Sequence, residues 1–91
     1  MARIDIDELE ERQSELIFIA RTVREARRVE ALLSDEGIDY AIALEPFLHG
    51  GIFGVITLTG LGFYVLSGQA PYCRELLGQR GLGVGVVEEL S

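Results

Sequence analysis

The sequence predicts an α+β domain in which a four-stranded antiparallel sheet carries two helices on one face, in the order βαββαβ. Three observations predict this fold: a short apolar run rich in Ile and Phe, a following segment with helical periodicity, and a long uncharged stretch that alternates as strands do. With 91 residues the chain is long enough for one hydrophobic core. We expect residues 1–14 to form an acidic N-terminal arm or short helix, and residues 15–91 to form the domain.

The first strand and the first helix are predicted within residues 15–37. Residues 15–21, ELIFIAR, are apolar enough for a strand that is buried on both faces. Thr22 followed by Glu25 has the spacing of a capping box, in which each side chain accepts a hydrogen bond from a backbone amide at the start of a helix. Gly37 stands where a helix needs a left-handed terminating residue. Between them, apolar residues recur at helical spacing: Val23, Ala26, Val29, Leu32 and Leu33.

The remaining elements are predicted to be two strands, a helix and a last short strand. Residues 38–45 alternate in hydropathy, and Pro46 is expected to stop their strand. We expect a tight turn at HGG, residues 49–51, and a break or bulge at GLG, residues 60–62. Pro71 suits the first turn of the second helix, whose apolar stripe comprises Tyr72, Cys73, Leu76 and Leu77. Residues 84–90 complete the element order of a ferredoxin-like sandwich.

Residues 46–68 contain no formally charged side chain, although a quarter of the whole chain is charged. Their glycines, threonines and β-branched residues, and the lack of basic flanks, argue against a membrane helix and favour a sheet hairpin. Its apolar tip either folds back over the open sheet face or reaches a neighbouring chain. We expect a homo-oligomer, a dimer or a small ring, formed by the hairpin and the open sheet face. The candidate interface residues are Phe47, Leu48, Ile52, Phe53 and Val55.

Composition excludes several classes of partner. The formal net charge is −7, and every positive charge is an arginine. An acidic domain lacks the phosphate-neutralising charge on which nucleic-acid affinity depends, and it is repelled by anionic membrane surfaces. We therefore expect neither nucleic acid nor a membrane as a partner. The N-terminus has no apolar secretory segment, so the expected compartment is the cytoplasm.

Candidate chemical sites are sparse. His49 and Cys73 are the only histidine and the only cysteine, and neither has a second ligand at metal spacing. We expect a buried, inert thiol at Cys73, no catalytic residue, no metal and no cofactor. A helix start and a glycine turn can both bind anions. The candidate anion site comprises Arg21, Thr22, His49, Gly50 and Gly51.

Three arginines, Arg24, Arg27 and Arg28, are expected on the helix face opposite the apolar stripe. Like charges spaced three or four residues apart on a helix repel each other, so an acidic neighbour is expected. Two partners remain open for this face. One is the chain's own acidic arm or the nearby acidic side chains of the helix, and the other is an external ligand or protein.

Two segments of the chain, LIFIARTVREARRVEALLSDEGIDYAI and the later GFYVLSGQAPYCRELLGQRG, resemble a family of small prokaryotic signal-transducing domains grouped with the PII-like (GlnB-like) ferredoxin folds. The resemblance covers residues 16–87 and implies a ferredoxin-like fold and a regulatory or binding role. It carries over no catalytic residue. Typical members have a shorter and more polar hairpin than residues 46–62. Three functions stay open: a self-associating regulatory or ligand-binding module, a domain that binds another protein, and an anion- or nucleotide-sensing PII-like module.

Overall fold

The computed structural model describes residues 3–5, 7, 13–52 and 54–87 of the chain. Within them the three strands form one antiparallel sheet in the order β1-β3-β2, accompanied by two helices. The predicted α+β class is therefore confirmed. The elements are β1 (Ser14–Ala20), α1 (Val23–Asp35), β2 (Tyr40–Gly51), β3 (Gly54–Leu66) and α2 (Ala70–Gln79), with 3-10 turns at Ser67–Gln69 and Gly83–Gly85.

One hydrophobic core joins the sheet to both helices. Phe63 and Val65 of β3 are fully buried, and Phe18 of β1 packs edge-on against Phe63 at 6.3 Å between ring centroids. Residues two apart in a strand share a face, so the odd-numbered residues of β3 define the side of the sheet that faces the helices. We call it the helix-facing side and the opposite one the open side. The helices bury Ala26, Val29, Leu33, Ala70, Cys73 and Leu77 in the same core.

The start and end of α1 are as the sequence predicts. Thr22 Oγ1 accepts a hydrogen bond from the Glu25 amide at 3.1 Å, and Glu25 Oε1 accepts one from the Arg21 amide at 3.2 Å. Gly37 has a positive φ of 69°, as a left-handed terminating residue should. Val23 is the exception in the predicted apolar stripe. It is 62% exposed because it faces a groove beside the hairpin instead of the core.

The predicted end of the second strand was wrong. β2 continues through Pro46, which pairs with Thr59, and reaches Gly51, which pairs with Gly54. An edge strand tolerates proline where the missing N–H would point away from the partner strand, and β2 lies at the edge of the sheet. The predicted turn at residues 49–51 was wrong for the same reason, since all three residues belong to β2 and Gly51 still pairs with Gly54.

The predicted break at residues 60–62 was also wrong. β3 runs without interruption from Gly54 to Leu66, and the irregularity lies in β1, where the register shifts between Leu16 and Phe18. Gly60 and Gly62 serve close packing instead. A Cβ on Gly60 would lie 2.7 Å from the Ala20 carbonyl oxygen, and a Cβ on Gly62 would overlap the Glu45 side chain.

The predicted fourth strand is not confirmed. Gly83–Gly85 forms a 3-10 turn, and Val86 makes a single antiparallel bridge to Phe18. The Val87 amide also donates to the Ile17 carbonyl at 2.8 Å. Residues 88–90 of the predicted strand lie outside the described residues, as do residues 8–12 of the predicted N-terminal arm.

Arg74 of α2 holds this C-terminal segment against β1. Its guanidinium is bonded in three directions: Nε donates to the Val87 carbonyl at 2.6 Å, Nη2 to the Leu16 carbonyl at 3.1 Å, and Nη1 to the Glu15 carboxylate at 3.2 Å. The side chain is only 11% exposed, so these charge-assisted bonds form largely out of water. Helix, strand and C-terminal segment are thereby joined through one residue.

The β2–β3 hairpin is much longer than the rest of the sheet. Pairing between β1 and β3 ends at Ala20 and Leu61, whereas β2 and β3 pair onward from Glu45 and Gly60 to Gly51 and Gly54. We call this extension, together with Leu44 at its base, the distal hairpin (residues 44–60). A two-stranded ribbon has no third strand to support it and is marginally stable alone.

Gly60→Ala should destabilise the fold by about 1–3 kcal/mol, because the new methyl group would press on a backbone oxygen that cannot move aside. Gly50→Ala is the matched control, since a Cβ there meets no atom within 4 Å and the residue lies in the same hairpin. Urea unfolding followed by circular dichroism measures both. Equal stability of the two variants would contradict the close packing at Gly60.

Candidate functional site

The distal hairpin exposes a group of large apolar side chains. Leu44 and Leu48 are 73% and 72% exposed, and Ile52 at the turn is 93% exposed. A monomeric soluble protein rarely shows such a contiguous apolar patch without using it. We call this group the hairpin surface. It comprises Leu44, Leu48, Ile52, Val55, Ile56 and Leu58.

Strand pairing divides the hairpin surface between the two sides of the sheet. Leu44 pairs with Leu61 and therefore lies on the helix-facing side, together with Leu48 and Val55. Ile56 and Leu58 lie on the open side, with exposures of 57% and 39%. The apolar area is therefore larger and more accessible on the helix-facing side.

A groove lies on the helix-facing side where the hairpin leaves the body of the domain. It has a volume of about 260 Å³. Val23 of α1 contributes to it from the helix, and Leu44 and Thr59 contribute from the strands. The charged side chain in its lining is Arg21. This groove continues the apolar helix-facing part of the hairpin surface toward α1.

A smaller groove of about 120 Å³ includes Phe47 and Val84 in its lining. Phe47 was predicted to belong to the apolar tip, but it is half-buried, and its ring lies 5.1 Å from the Arg21 guanidinium carbon. Arginine over an aromatic ring is a favourable contact. Phe47 is therefore partly used within the chain. Leu48, Ile52 and Val55 are exposed as the interface prediction requires, and Phe53 lies outside the described residues.

The residues of the candidate anion site come from two elements. Arg21 and Thr22 lie at the start of α1, where the Glu25 carboxylate and the Thr22 hydroxyl already accept from backbone amides. His49 and Gly50 lie in β2, paired with Ile56 and Val55 in the distal hairpin. The helix start thus has an internal carboxylate in the place that an external anion would take.

The arginine face of α1 is exposed as predicted. Arg28 Nη2 donates to the Arg80 backbone carbonyl at 3.1 Å, which links the two helices. Arg3 of the N-terminal arm pairs with Glu30 of α1 at 3.7 Å. The predicted contact between the arginines and the acidic part of the arm involves residues outside those described, so that prediction stays open.

Residues 3–5, 7, 13–52 and 54–87 contain no cluster of three or more potential metal-ligating side chains. Within the same ranges, none of the helices combines the length and the hydropathy needed to cross a membrane.

Leu44 and Val23, which line the groove, were not among the predicted interface residues. Leu44 alternates with Tyr40 and Ile42, which are covered by the core, and nothing in that pattern shows where the helices stop covering the strand. Val23 fits the helical period equally well. The sequence feature that could have indicated this exposed surface is the length of the uncharged stretch, which exceeds what a hairpin packed under two short helices requires.

Cys73 is fully buried, and burial raises the pKa of its thiol from 9.0 to about 11. Deprotonation therefore favours the unfolded chain, and the stabilising contribution present below pH 9 is lost as the pH rises toward 11. Two pKa units correspond to about 2.7 kcal/mol at most. We expect the free energy of unfolding to fall between pH 8 and pH 10.5 in urea titrations.

The variant Cys73→Ala is the control for this pH dependence. Its free energy of unfolding should fall less over the same range, although burial also raises the pKa of Tyr40 and leaves part of the dependence in place. An identical fall in both proteins would show that the thiol does not contribute.

Comparisons with known proteins identify no relative of the chain. It was compared with protein-family models, with curated proteins and with solved structures, and none of the three comparisons gave a match. The geometry and charge of the hairpin surface are therefore the evidence for its functional role.

Proposed function

We propose that this chain is a small non-enzymatic module that self-associates through its hairpin surface and has a regulatory or ligand-binding role. The observation that carries the proposal is the exposure of the distal hairpin, where six large apolar side chains of the described residues face water on a ribbon that β1 reaches only at its base. Burying one such side chain contributes about 1.5–3 kcal/mol. Association supplies that burial and supports a two-stranded ribbon that is marginal by itself.

Electrostatics support the hairpin as the contact between two copies. Each chain carries a formal net charge of −7, so two copies repel each other over most of their surfaces. The stretch from residue 46 to residue 68 has no formal charge, and the distal hairpin occupies most of it. Contact through this segment keeps the acidic side chains of the two copies apart.

The regulatory part of the proposal is supported by the resemblance to small signal-transducing domains. That resemblance also favours a ferredoxin-like arrangement with a fourth strand on the free edge of β1. The Val86 bridge to Phe18 and the Arg74 bond to the Val87 carbonyl are compatible with a strand in that position that begins at Val86. A cytoplasmic location fits the same role.

The double variant Leu48→Thr and Val55→Thr should weaken self-association by roughly 100-fold. Threonine keeps strand propensity, but the change removes buried hydrocarbon at four places in a dimer, at about 0.8 kcal/mol per methylene, and 1.4 kcal/mol is a tenfold change. Size-exclusion chromatography with light scattering over a concentration series measures the effect.

Tyr72→Gln is the matched control, because Tyr72 is 53% exposed on α2 and lies outside the hairpin surface. It should associate as the unaltered chain does. A monomeric unaltered chain at millimolar concentration would overturn the proposal and favour a different protein as the partner. If the hairpin double variant and Tyr72→Gln changed self-association equally, the hairpin would not be part of the interface.

A further inference from the structure

We infer that two copies associate by exchanging hairpin tips across a two-fold axis, with their helix-facing sides in contact and Ile52 of each copy seated in the groove beside Val23 of the other. This arrangement rests on the proposed function and specifies its geometry. The same molecule carries a protruding side chain, that of Ile52, and a groove that can receive it. Leu48 lies between them on the helix-facing side.

The protruding residue is Ile52, at the turn of the hairpin and 93% exposed. The recess is the groove of about 260 Å³ between α1 and the strands, with Val23 and Leu44 in its lining. Val23 is 62% exposed although it belongs to the apolar stripe of its helix. An apolar groove of this size has room for a branched aliphatic side chain.

The spacing between tip and groove suits a two-fold axis. Ile52 follows Leu44 by eight residues, or about 26 Å at about 3.3 Å per residue in a strand. Leu48 lies halfway between them and on the same side as Leu44. When two hairpins are laid antiparallel with Leu48 opposite Leu48, each tip reaches the groove of the other copy. In such an interface residue i contacts residue j and residue j contacts residue i.

The helix-facing side suits this contact better than the open side. Its exposed apolar residues, Leu44, Leu48 and Val55, are 66–73% exposed, against 57% and 39% for Ile56 and Leu58. By register, the open side of the hairpin also carries Glu45 and His49, which are a charged and a polar side chain. The helix-facing side of residues 44–60 carries leucine, proline, valine, glycine and threonine.

A second copy of the chain accounts for both the protruding tip and the groove, because each copy supplies the partner for the other. An unrelated protein would have to supply a matching groove and a matching tip. Arg21 lines the groove, but its guanidinium lies over the ring of Phe47, which is on the open side by register, so the charged group is directed away from the apolar tip. The uncharged contact also limits repulsion between two chains of net charge −7.

Single cysteine variants test the two-fold arrangement. Sheets packed face to face lie about 10 Å apart, and a direct disulfide requires Cα atoms within about 7 Å, so the linker is a short bis-maleimide, which joins two copies of one cysteine readily only near the axis. The bis-maleimide should join Leu48→Cys into covalent dimers at least tenfold faster than Ile56→Cys, its matched partner on the open side. The unaltered chain is the second control, and its only cysteine, Cys73, is buried and should not cross-link.

The double variant Ile52→Cys and Val23→Cys tests the tip and the groove. The two positions are too far apart to join within one chain, so any disulfide between them links two copies. The two-fold exchange predicts that a non-reducing gel shows covalent dimers and no products larger than dimers. A ladder of trimers and tetramers would show a head-to-tail contact and overturn the two-fold exchange.

The outcomes separate this geometry from the proposed function. Oligomers in light scattering together with faster cross-linking through Ile56→Cys, or with equal rates for the two single variants, would overturn the arrangement and leave self-association standing. Monomers for the unaltered chain and for every variant would overturn both. Dimers that cross-link through Leu48→Cys and through the tip–groove pair would support both.

Discussion

The mismatch in length between the hairpin and everything that could cover it is the constraint on which the rest of this molecule depends. β1 pairs with β3 only as far as Leu61, while β2 and β3 continue together to Gly51 and Gly54. The core is complete without the extension, since its buried side chains come from the two helices, the shared part of the sheet, and Ile38 and Leu82 in the connections. The hairpin therefore adds exposed apolar area without adding to the core, and its stability depends on what it contacts.

Local rules predicted the parts of the fold that depend on neighbouring residues. The capping of α1 by Thr22 and Glu25, the left-handed Gly37 and the burial of Phe18 each follow from short sequence patterns. The hairpin was predicted too short because Pro46 is a strand terminator in a central strand and a tolerated residue at an edge. Strand order decides between the two, and strand order is a long-range property that no window of sequence contains.

The candidate site was predicted only in part for a related reason. Apolar alternation identifies which residues of β2 share a face, but it does not show how far the helices extend over that face. Tyr40 and Leu44 follow the same pattern, and one is fully buried while the other is 73% exposed. The uncharged composition of the stretch was the informative signal, because it marked a surface that differs from the acidic remainder of the chain.

Pro46 also limits how such a surface can be used. A long edge strand with apolar faces resembles the segments that stack without limit into fibres, since its free backbone groups invite another strand to pair. A proline in the middle of β2 removes one donor from that edge and interrupts any continuous ladder. Contacts through side chains remain open while backbone-to-backbone growth is blocked. The side chain of Pro46 thus favours small closed assemblies over amyloid-like growth.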